Sequence, residues 1–275
     1  MPLSRRRWIR RHSPVVRICH WVNLLCLIVL LMSGLQIFNA HPALYWGQAT
    51  EFDHPWLALG AADSGGGRMD GITRVFGHRF VTTGLLGVSD VAGQPQPRGF
   101  PPWATLPGVQ WLALGRRWHF FFAWLLVING LVYLAWGLVS GHFRRDLLPT
   151  HDQLRHFGRT LLDHLRFRFP KGEEAEHYNL LQKLAYLVVV FVLLPLIVLA
   201  GLTMSPRLDS AFPGLLAFFG GRQSARSIHF LLAAALLAFV AIHLLMVVAS
   251  GLWNNIRSMI TGRYAIEESG GPDER

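Results

Sequence analysis

The sequence predicts an all-α integral membrane protein that folds as a four-helix transmembrane bundle. Of its 275 residues, 52% are hydrophobic and only 15% are charged, whereas soluble domains carry about 25% charged residues. A helix needs about 20 apolar residues to cross the hydrocarbon core of a bilayer. Four runs of that length are present, at residues 17–38, 118–139, 181–203 and 228–250.

The basic residues indicate how this bundle lies in the membrane. Four spans put both chain ends on one side, together with the connection between the second and third spans. That side, made of segments 1–16, 140–180 and 251–275 with their immediate flanks, carries 17 of the 26 Lys and Arg residues. The positive-inside rule therefore places both termini in the cytoplasm. The net charge of +10 belongs to these flanks, and because no nucleic-acid motif accompanies it, we exclude nucleic acid as a partner.

The connection between the first two spans, residues 39–117, is long and rich in Gly, Pro and Trp. Its apolar piece FVTTGLLGV is too short to cross a membrane. Loops of this length are usually functional or disordered, and the aromatic content argues against disorder. We expect an ordered periplasmic cap that meets a partner protein; the alternative is a loop without a function of its own.

The cytoplasmic connection, residues 140–180, has apolar residues at helical spacing. This pattern predicts an amphipathic helix on the inner leaflet, with its apolar side formed by Leu154, Phe157, Leu161, Leu162 and Leu165. The histidines of this connection, His142 among them, are expected to be solvated or interfacial. In the third span, Pro195 predicts a kink. Residues 204–227 are predicted to form the periplasmic loop between the third and fourth spans.

The fourth span carries two histidines, His229 and His243, which are 14 positions apart. At about 3.6 residues per turn this is close to four turns, so both rings leave the same face of the helix, roughly 21 Å apart along its axis. Polar residues inside a membrane are costly and usually functional. The alternative is a pair of ordinary buried histidines with hydrogen-bond partners.

Two further histidines match these depths. His20 lies in the first turn of the span that enters from the cytoplasm, and His119 lies in the first turn of the span that enters from the periplasm. His20 is therefore level with His243, and His119 is level with His229. Two imidazoles per level suit a bis-histidine haem in a helix bundle, whereas zinc takes three or four protein ligands. Iron with two axial histidines has no open position, which indicates electron transfer.

Glycines and arginines near these histidines are candidate haem contacts. Gly34 lies 14 positions after His20, so a macrocycle could approach the backbone there, and Gly130 could do the same on the second span. Arg17 and Arg226 each precede a candidate ligand by three positions and could pair with haem propionates. The alternatives are helix packing for the glycines and interfacial anchoring for the arginines.

Three motifs resemble the prokaryotic cytochrome b561-type membrane cytochromes. They are RICHW at the head of span one, QKLAYLVVVFVLLPLIVLAGLTMSP in span three, and R-x-x-H with a second histidine 14 residues later in span four. This group includes the cytochrome b subunits of nickel-iron hydrogenases, formate dehydrogenases and thiosulfate-reductase-like complexes. The resemblance implies two haem b groups, one held by His20 and His243 on the cytoplasmic side and one held by His119 and His229 on the periplasmic side.

The resemblance also implies a function in the bacterial inner membrane. Such proteins pass electrons between a periplasmic redox subunit and the membrane quinone pool. The long outer connection fits a chain that docks a separate catalytic subunit, for example a molybdopterin enzyme, and we identify no independent catalytic site in this chain. In relatives the quinone site lies by the inner haem, where the nearby candidates here are His12, Asn23, Trp253 and Asn254.

Two other functions remain open at this point. One is a self-contained quinone-linked oxidoreductase, such as a superoxide oxidase, which some small relatives resemble. The other is a transporter with a histidine proton relay. The spans contain no acidic residue and no inverted repeat is visible, so the features that would favour a transporter are missing.

Overall fold

The computed structural model describes residues 6–155, 158, 162, 180–205 and 210–267. Four of its helices are long and apolar enough to cross a membrane, by length and composition. They are α1 (Pro14–Phe38), α2 (Leu112–Val139), α4 (Leu180–Thr203) and α6 (Arg222–Ala249). Each contains one of the predicted spans to within a residue and begins up to six residues earlier.

Helix α4 is not α-helical throughout. Residues Val189–Leu193 form a π-helical segment directly before Pro195. Proline has no backbone N–H and its ring crowds the carbonyl four residues earlier, here that of Phe191, so the regular ladder is interrupted at this point. The sequence predicts a kink at Pro195. The structure has a wider, π-helical turn that ends two residues before this proline.

The described residues also form three short α-helices, α3 (His151–Arg155), α5 (Pro213–Phe218) and α7 (Leu252–Thr261), and a 3-10 helix at Pro102–Ala104. A second π-helical segment, Phe143–Leu147, follows α2. Of the predicted amphipathic helix, Leu154 falls in α3. Leu162 is also helical and is exposed, and the other members Phe157, Leu161 and Leu165 lie outside the described residues.

The all-α prediction is wrong for the connection between α1 and α2. This segment contains six strands: β2 (Ala43–Leu44), β3 (Leu57–Asp63), β4 (Met69–Val75), β5 (His78–Val81), β6 (Gly87–Val91) and β7 (Gln94–Arg98). Strands β2 to β5 form one antiparallel sheet in sequence order, and β6 pairs with β7. We call residues 43–98 the β cap.

The hairpin turns explain why this segment is β-sheet. Phe76 and Gly77 join β4 to β5 with φ values of 47° and 84°, and Ala92 and Gly93 join β6 to β7 with 55° and 80°. Positive φ at both central residues is the type I′ geometry, whose twist matches that of paired strands. The usual sequence signal for this turn is Asn-Gly or Asp-Gly. Phe and Ala in the first position conceal it here.

The two ends of the described chain also form strands, which the all-α prediction did not include. Strand β1 (Arg6–Arg10) pairs antiparallel with β8 (Arg263–Glu267), and Trp8 lies opposite Ala265. The amide of Arg11 continues the pairing by donating to the carbonyl of Gly262 at 2.9 Å. The entry to α1 is therefore fixed to the segment that follows α7.

The described residues divide into two compact units. One holds residues up to 22 together with 129–195 and 235 onward, and the other holds residues 23–128 and 196–234. The β cap belongs to the second unit. There, the buried side chains of Phe38, Leu44 and Leu59 form a common core.

Polar contacts also join the β cap to the helices of its own unit. The Trp56 indole donates to the Ser227 hydroxyl at 2.9 Å, and that hydroxyl donates to the carbonyl of Tyr45 at 2.6 Å. Arg98 is buried and donates to Gln36 of α1 at 3.2 Å and to Thr105 at 2.7 Å. The cap is thus tied to the end of α1 and to the start of α6.

Candidate functional site

Two pairs of histidines face each other on the spanning helices. In the first unit, the ring centroids of His20 (α1) and His243 (α6) are 6.3 Å apart, with 61° between the ring planes. In the second unit, the centroids of His119 (α2) and His229 (α6) are 6.2 Å apart, with 62° between the planes. The structure therefore brings together the same partners that the depth matching pairs.

The spacing of each pair suits one metal ion between the rings. A metal–imidazole bond is about 2.0–2.1 Å and the ring centroid lies about 1.1 Å behind the bonded nitrogen, so two trans imidazoles have centroids about 6.3 Å apart. Two rings in direct contact can have any centroid distance of about 4.5–7 Å, so ring contact alone does not require a distance of about 6.3 Å. In the part of the chain that the structure describes, no group of three His, Cys, Asp or Glu side chains could hold a metal ion. The residues thus fit an iron whose other ligands come from a macrocycle.

Hydrogen bonds at Nδ1 orient the rings of the His119–His229 pair. His229 Nδ1 lies 2.9 Å from the carbonyl of Ile197, so it carries the proton and donates. Ser33 Oγ donates its one proton to the carbonyl of Val29 at 2.6 Å and therefore accepts from His119 Nδ1 at 3.0 Å. With Nδ1 protonated in both rings, each Nε2 keeps the lone pair that a metal requires.

Two glycines leave room for these rings. A Cβ on Gly34 would lie 3.4 Å from Cε1 of His119, and one on Gly201 would lie 3.2 Å from Cε1 of His229. Gly34 therefore lies against a histidine ring, whereas the sequence analysis expected it beside a macrocycle. A Cβ on Gly130 would meet no protein atom within 4 Å. Sequence reasoning missed Ser33, Ile197 and Gly201, which contact these two rings.

The two predicted arginines have protein partners. Arg17 Nη1 donates to the carbonyl of Ile260 at 2.6 Å. Arg226 donates to the carbonyl of His41, and its guanidinium carbon lies 5.6 Å from the centroid of the Phe38 ring. Contact with haem propionates remains a prediction for both.

The candidate quinone residues differ in their surroundings. Trp253 is 76% exposed. The side-chain amide of Asn254 is bonded in both directions to the backbone of Ala265 in β8. His12 is buried, and burial together with the neighbouring Arg11 lowers its pKa to about 4. Positive charge on His20 or His142 would also lower the pKa of His12, so these three imidazoles lie in one region of the first unit.

His142 is not solvated, contrary to the sequence-based expectation. It is buried, and its Nδ1 lies 2.7 Å from Oδ2 of Asp146, whose side chain is 35% exposed. Its ring centroid lies 5.0 Å from that of Trp136 and 6.2 Å from that of Tyr133. The spacing of four residues between His142 and Asp146 is the signal that could have found this pair.

These features define a membrane-spanning cytochrome of the b type. The chain matches the family model described as prokaryotic cytochrome b561 over residues 11–262, and it belongs to this family. It is accordingly a multi-pass membrane protein that binds b-type haem and functions in electron transport. It is 29% identical, over 236 residues, to the protein named "Putative protein-methionine-sulfoxide reductase subunit YedZ1" of Azospira oryzae. The alignment covers 86% of this chain and 89% of that relative. No solved structure matches the chain.

Proposed function

We propose that this chain is a di-haem electron-transfer subunit that passes electrons between membrane quinone and a separate redox subunit on the periplasmic face of the bacterial inner membrane. His20 and His243 hold the cytoplasmic-side haem b, and His119 and His229 hold the periplasmic-side haem b. The observation that carries this proposal is the occurrence of two histidine pairs whose centroid distances, 6.3 and 6.2 Å, both equal the span of a bis-imidazole iron site.

A haem bound at these sites supplies a one-electron iron couple. The chain would contribute two imidazoles per site, a ligand set that suits electron transfer. Ser33 and the carbonyl of Ile197 hold the His119 and His229 rings in the orientation that presents Nε2. Because these two groups accept hydrogen bonds from Nδ1–H, they also increase the basicity of both imidazoles.

The similar protein supports a proposal for the partner and for the direction of electron flow. That relative is named as a subunit of a reductase. We propose by analogy that electrons flow outward, from quinol to a periplasmic reductase, and we expect this partner to be a molybdopterin enzyme. The β cap is the proposed docking surface, because it exposes the large apolar side chains of Trp46, Phe52 and Phe76, and patches of this kind mark protein interfaces.

The quinone site is proposed near His20 and His243. Oxidation of one quinol to quinone releases two electrons and two protons, so a group that accepts protons must be close to the site. The His142–Asp146 pair suits this role, because the imidazole is buried while the carboxylate is partly exposed to solvent. We propose that His142 accepts the two protons one after the other and that Asp146 passes each of them to water.

Anaerobic addition of a short-chain quinol to the purified holoprotein in liposomes tests the proposal. We expect the b-haem absorbance to approach that of the fully reduced protein, without any added subunit. If dithionite reduces the haems and quinol does not, quinone is not the membrane-side electron partner. The rival function as a superoxide oxidase is tested in the same liposomes, since the isolated chain would then reduce quinone at the expense of superoxide, and we expect no such reaction.

A further inference from the structure

The paired chain ends and helix α7 form a basic surface in the first unit. Residues that lie opposite each other in a sheet share one face. Trp8 lies opposite Ala265, and Arg10 lies opposite Arg263, so the aromatic ring and two guanidinium groups belong to the same face of the strand pair. Helix α7, which ends just before β8, adds Arg257.

Part of this surface forms an open cavity of about 450 Å³, which is lined by Trp8, Arg257, Thr261 and Arg263. The guanidinium carbon of Arg257 lies 5.2 Å from the centroid of the Trp8 ring. Stacking on an aromatic ring holds an arginine in place while its N–H groups stay available. The Thr261 hydroxyl already donates to the carbonyl of Arg257 at 2.8 Å. Among the described residues that line it there are two guanidinium groups and no carboxylate, a set that suits a phosphate.

The position of α7 indicates where this phosphate comes from. The helix follows α6, a candidate membrane span, after a turn at Gly251 with φ of 110°. Trp253 and Ile260 are 76% and 61% exposed, and with Arg257 between them at helical spacing they lie on one face of α7. An exposed apolar face that carries an arginine, at the end of a span, is typical of a helix in the membrane interface.

We propose that the cavity binds the headgroup phosphate of an anionic phospholipid. Arg257 and Arg263 contact the phosphate, Trp8 covers one side of the cavity, and the lipid chains run along the apolar face of α7. The site therefore joins the two chain ends to the leaflet that anionic lipids make negative. This proposal does not depend on the haem ligands or on quinone.

The test is native mass spectrometry of the full-length holoprotein, released from detergent after titration with phosphatidylglycerol or phosphatidylcholine. We expect phosphatidylglycerol to saturate at one tightly held molecule, with at least tenfold weaker retention of phosphatidylcholine. The double variant Arg257→Gln/Arg263→Gln is expected to lose at least tenfold in phosphatidylglycerol affinity. The control Arg144→Gln/Arg155→Gln removes the same charge from exposed positions and should retain the lipid.

Three results would overturn the proposal. Equal loss in the control variant would mean that net charge alone attracts the lipid. Equal retention of phosphatidylcholine would mean that the headgroup charge is not recognised. Displacement of the lipid by equimolar inorganic phosphate would mean that the site binds free phosphate. Trp8→Ala serves as a second variant with both arginines in place, and it should also weaken retention; the haem spectrum verifies that each variant is folded.

Discussion

At the residue scale, Ser33 distinguishes the His119–His229 pair from an accidental contact of two rings. A serine in a membrane helix usually satisfies its hydroxyl with a backbone carbonyl one turn earlier, as Ser33 does with Val29. Here the same oxygen also accepts a hydrogen bond from Nδ1–H of His119. A histidine that needed only a buried partner would be satisfied by this bond. His229 faces it in the same tautomer, so the Nε2 atoms of both rings are available to bind one metal ion.

We predict that Ser33→Ala weakens one haem site and leaves the other unchanged. Without an acceptor for Nδ1–H, His119 becomes a less basic ligand, and loss of such a partner typically costs about 10- to 100-fold in metal affinity. The midpoint potential of that haem should also rise, because a less basic ligand stabilises the oxidised iron less. A redox titration with haem quantification measures both effects.

A matched control for this experiment lies directly after α6, where the Ser250 hydroxyl accepts from Asn255 at 3.0 Å and not from a histidine. Ser250 donates to the carbonyl of Met246 at 2.7 Å, the same bond that Ser33 makes one turn back, without a histidine partner. Ser250→Ala should therefore leave both potentials as in the wild type. If both serine variants shift the same haem equally, the effect comes from helix packing and not from His119.

How much of the site the sequence can predict depends on the kind of contact involved. The partners His20 with His243 and His119 with His229 follow from helical periodicity and from the direction in which each span enters the membrane. The contact of Gly201 with His229, and that of Ser33 with His119, depend on the rotation of one helix against another. Periodicity within a single helix does not determine that rotation, so these residues emerge only from the structure.

At the element scale, the spanning helices are predictable and the β cap is not. A membrane helix satisfies its own backbone, so a sufficiently long apolar run specifies it locally. The strands of the cap depend on pairing between segments. Their hairpin turns, at Phe76–Gly77 and Ala92–Gly93, lack the Asn or Asp that would announce them.

We predict that Arg98→Ala loosens the β cap from α1. Burial lowers the pKa of Arg98, and its guanidinium is bonded to Gln36, Thr105 and the carbonyl of Phe100. Truncation leaves the side-chain oxygens of Gln36 and Thr105 without this donor, which costs about 1–3 kcal/mol for a buried partner, while the carbonyl of Phe100 still accepts from Asn39. Limited proteolysis should cleave the cap faster, while the exposed Arg79→Ala serves as the control and should cleave like the wild type. Unchanged cleavage in Arg98→Ala would show that apolar packing alone holds the cap.

We predict that the free energy of unfolding depends on pH through His12, which lies two residues before α1. Burial and Arg11 lower its pKa from 6.5 to about 4, so the folded state favours the neutral imidazole. Its contribution is fully present above pH 6.5 and is lost as the pH falls from there to about 4. A shift of this size corresponds to at most about 3 kcal/mol.

The measurement for His12 is a thermal unfolding series from pH 7 to pH 4 on wild type and His12→Gln. The wild type should lose more stability over this interval than the variant, because glutamine does not titrate. Parallel curves for the two proteins would contradict the buried, neutral state of His12. A larger acid sensitivity in the variant would contradict it as well.

At the scale of the whole molecule, electron transfer and proton release must be coupled if quinol is the electron donor. We predict that His142→Gln slows haem reduction by quinol about 100-fold, since a positioned acid–base group contributes about 10²- to 10⁴-fold. Reduction by dithionite, which needs no proton acceptor, should stay unchanged. His151→Gln, an exposed histidine of the same connection, is the control. Equal rates in both variants would remove His142 from the proton path.

The proposed function requires two haems, each held by one pair of histidines. The most direct measurement is the pyridine haemochrome assay on the purified wild type, on His229→Ala and on His243→Ala. We predict two haem b groups per chain in the wild type and one in each variant, because each substitution removes one ligand of one pair. A wild type with a single haem after expression with ample haem supply, or single variants that both retain two haems, would contradict it.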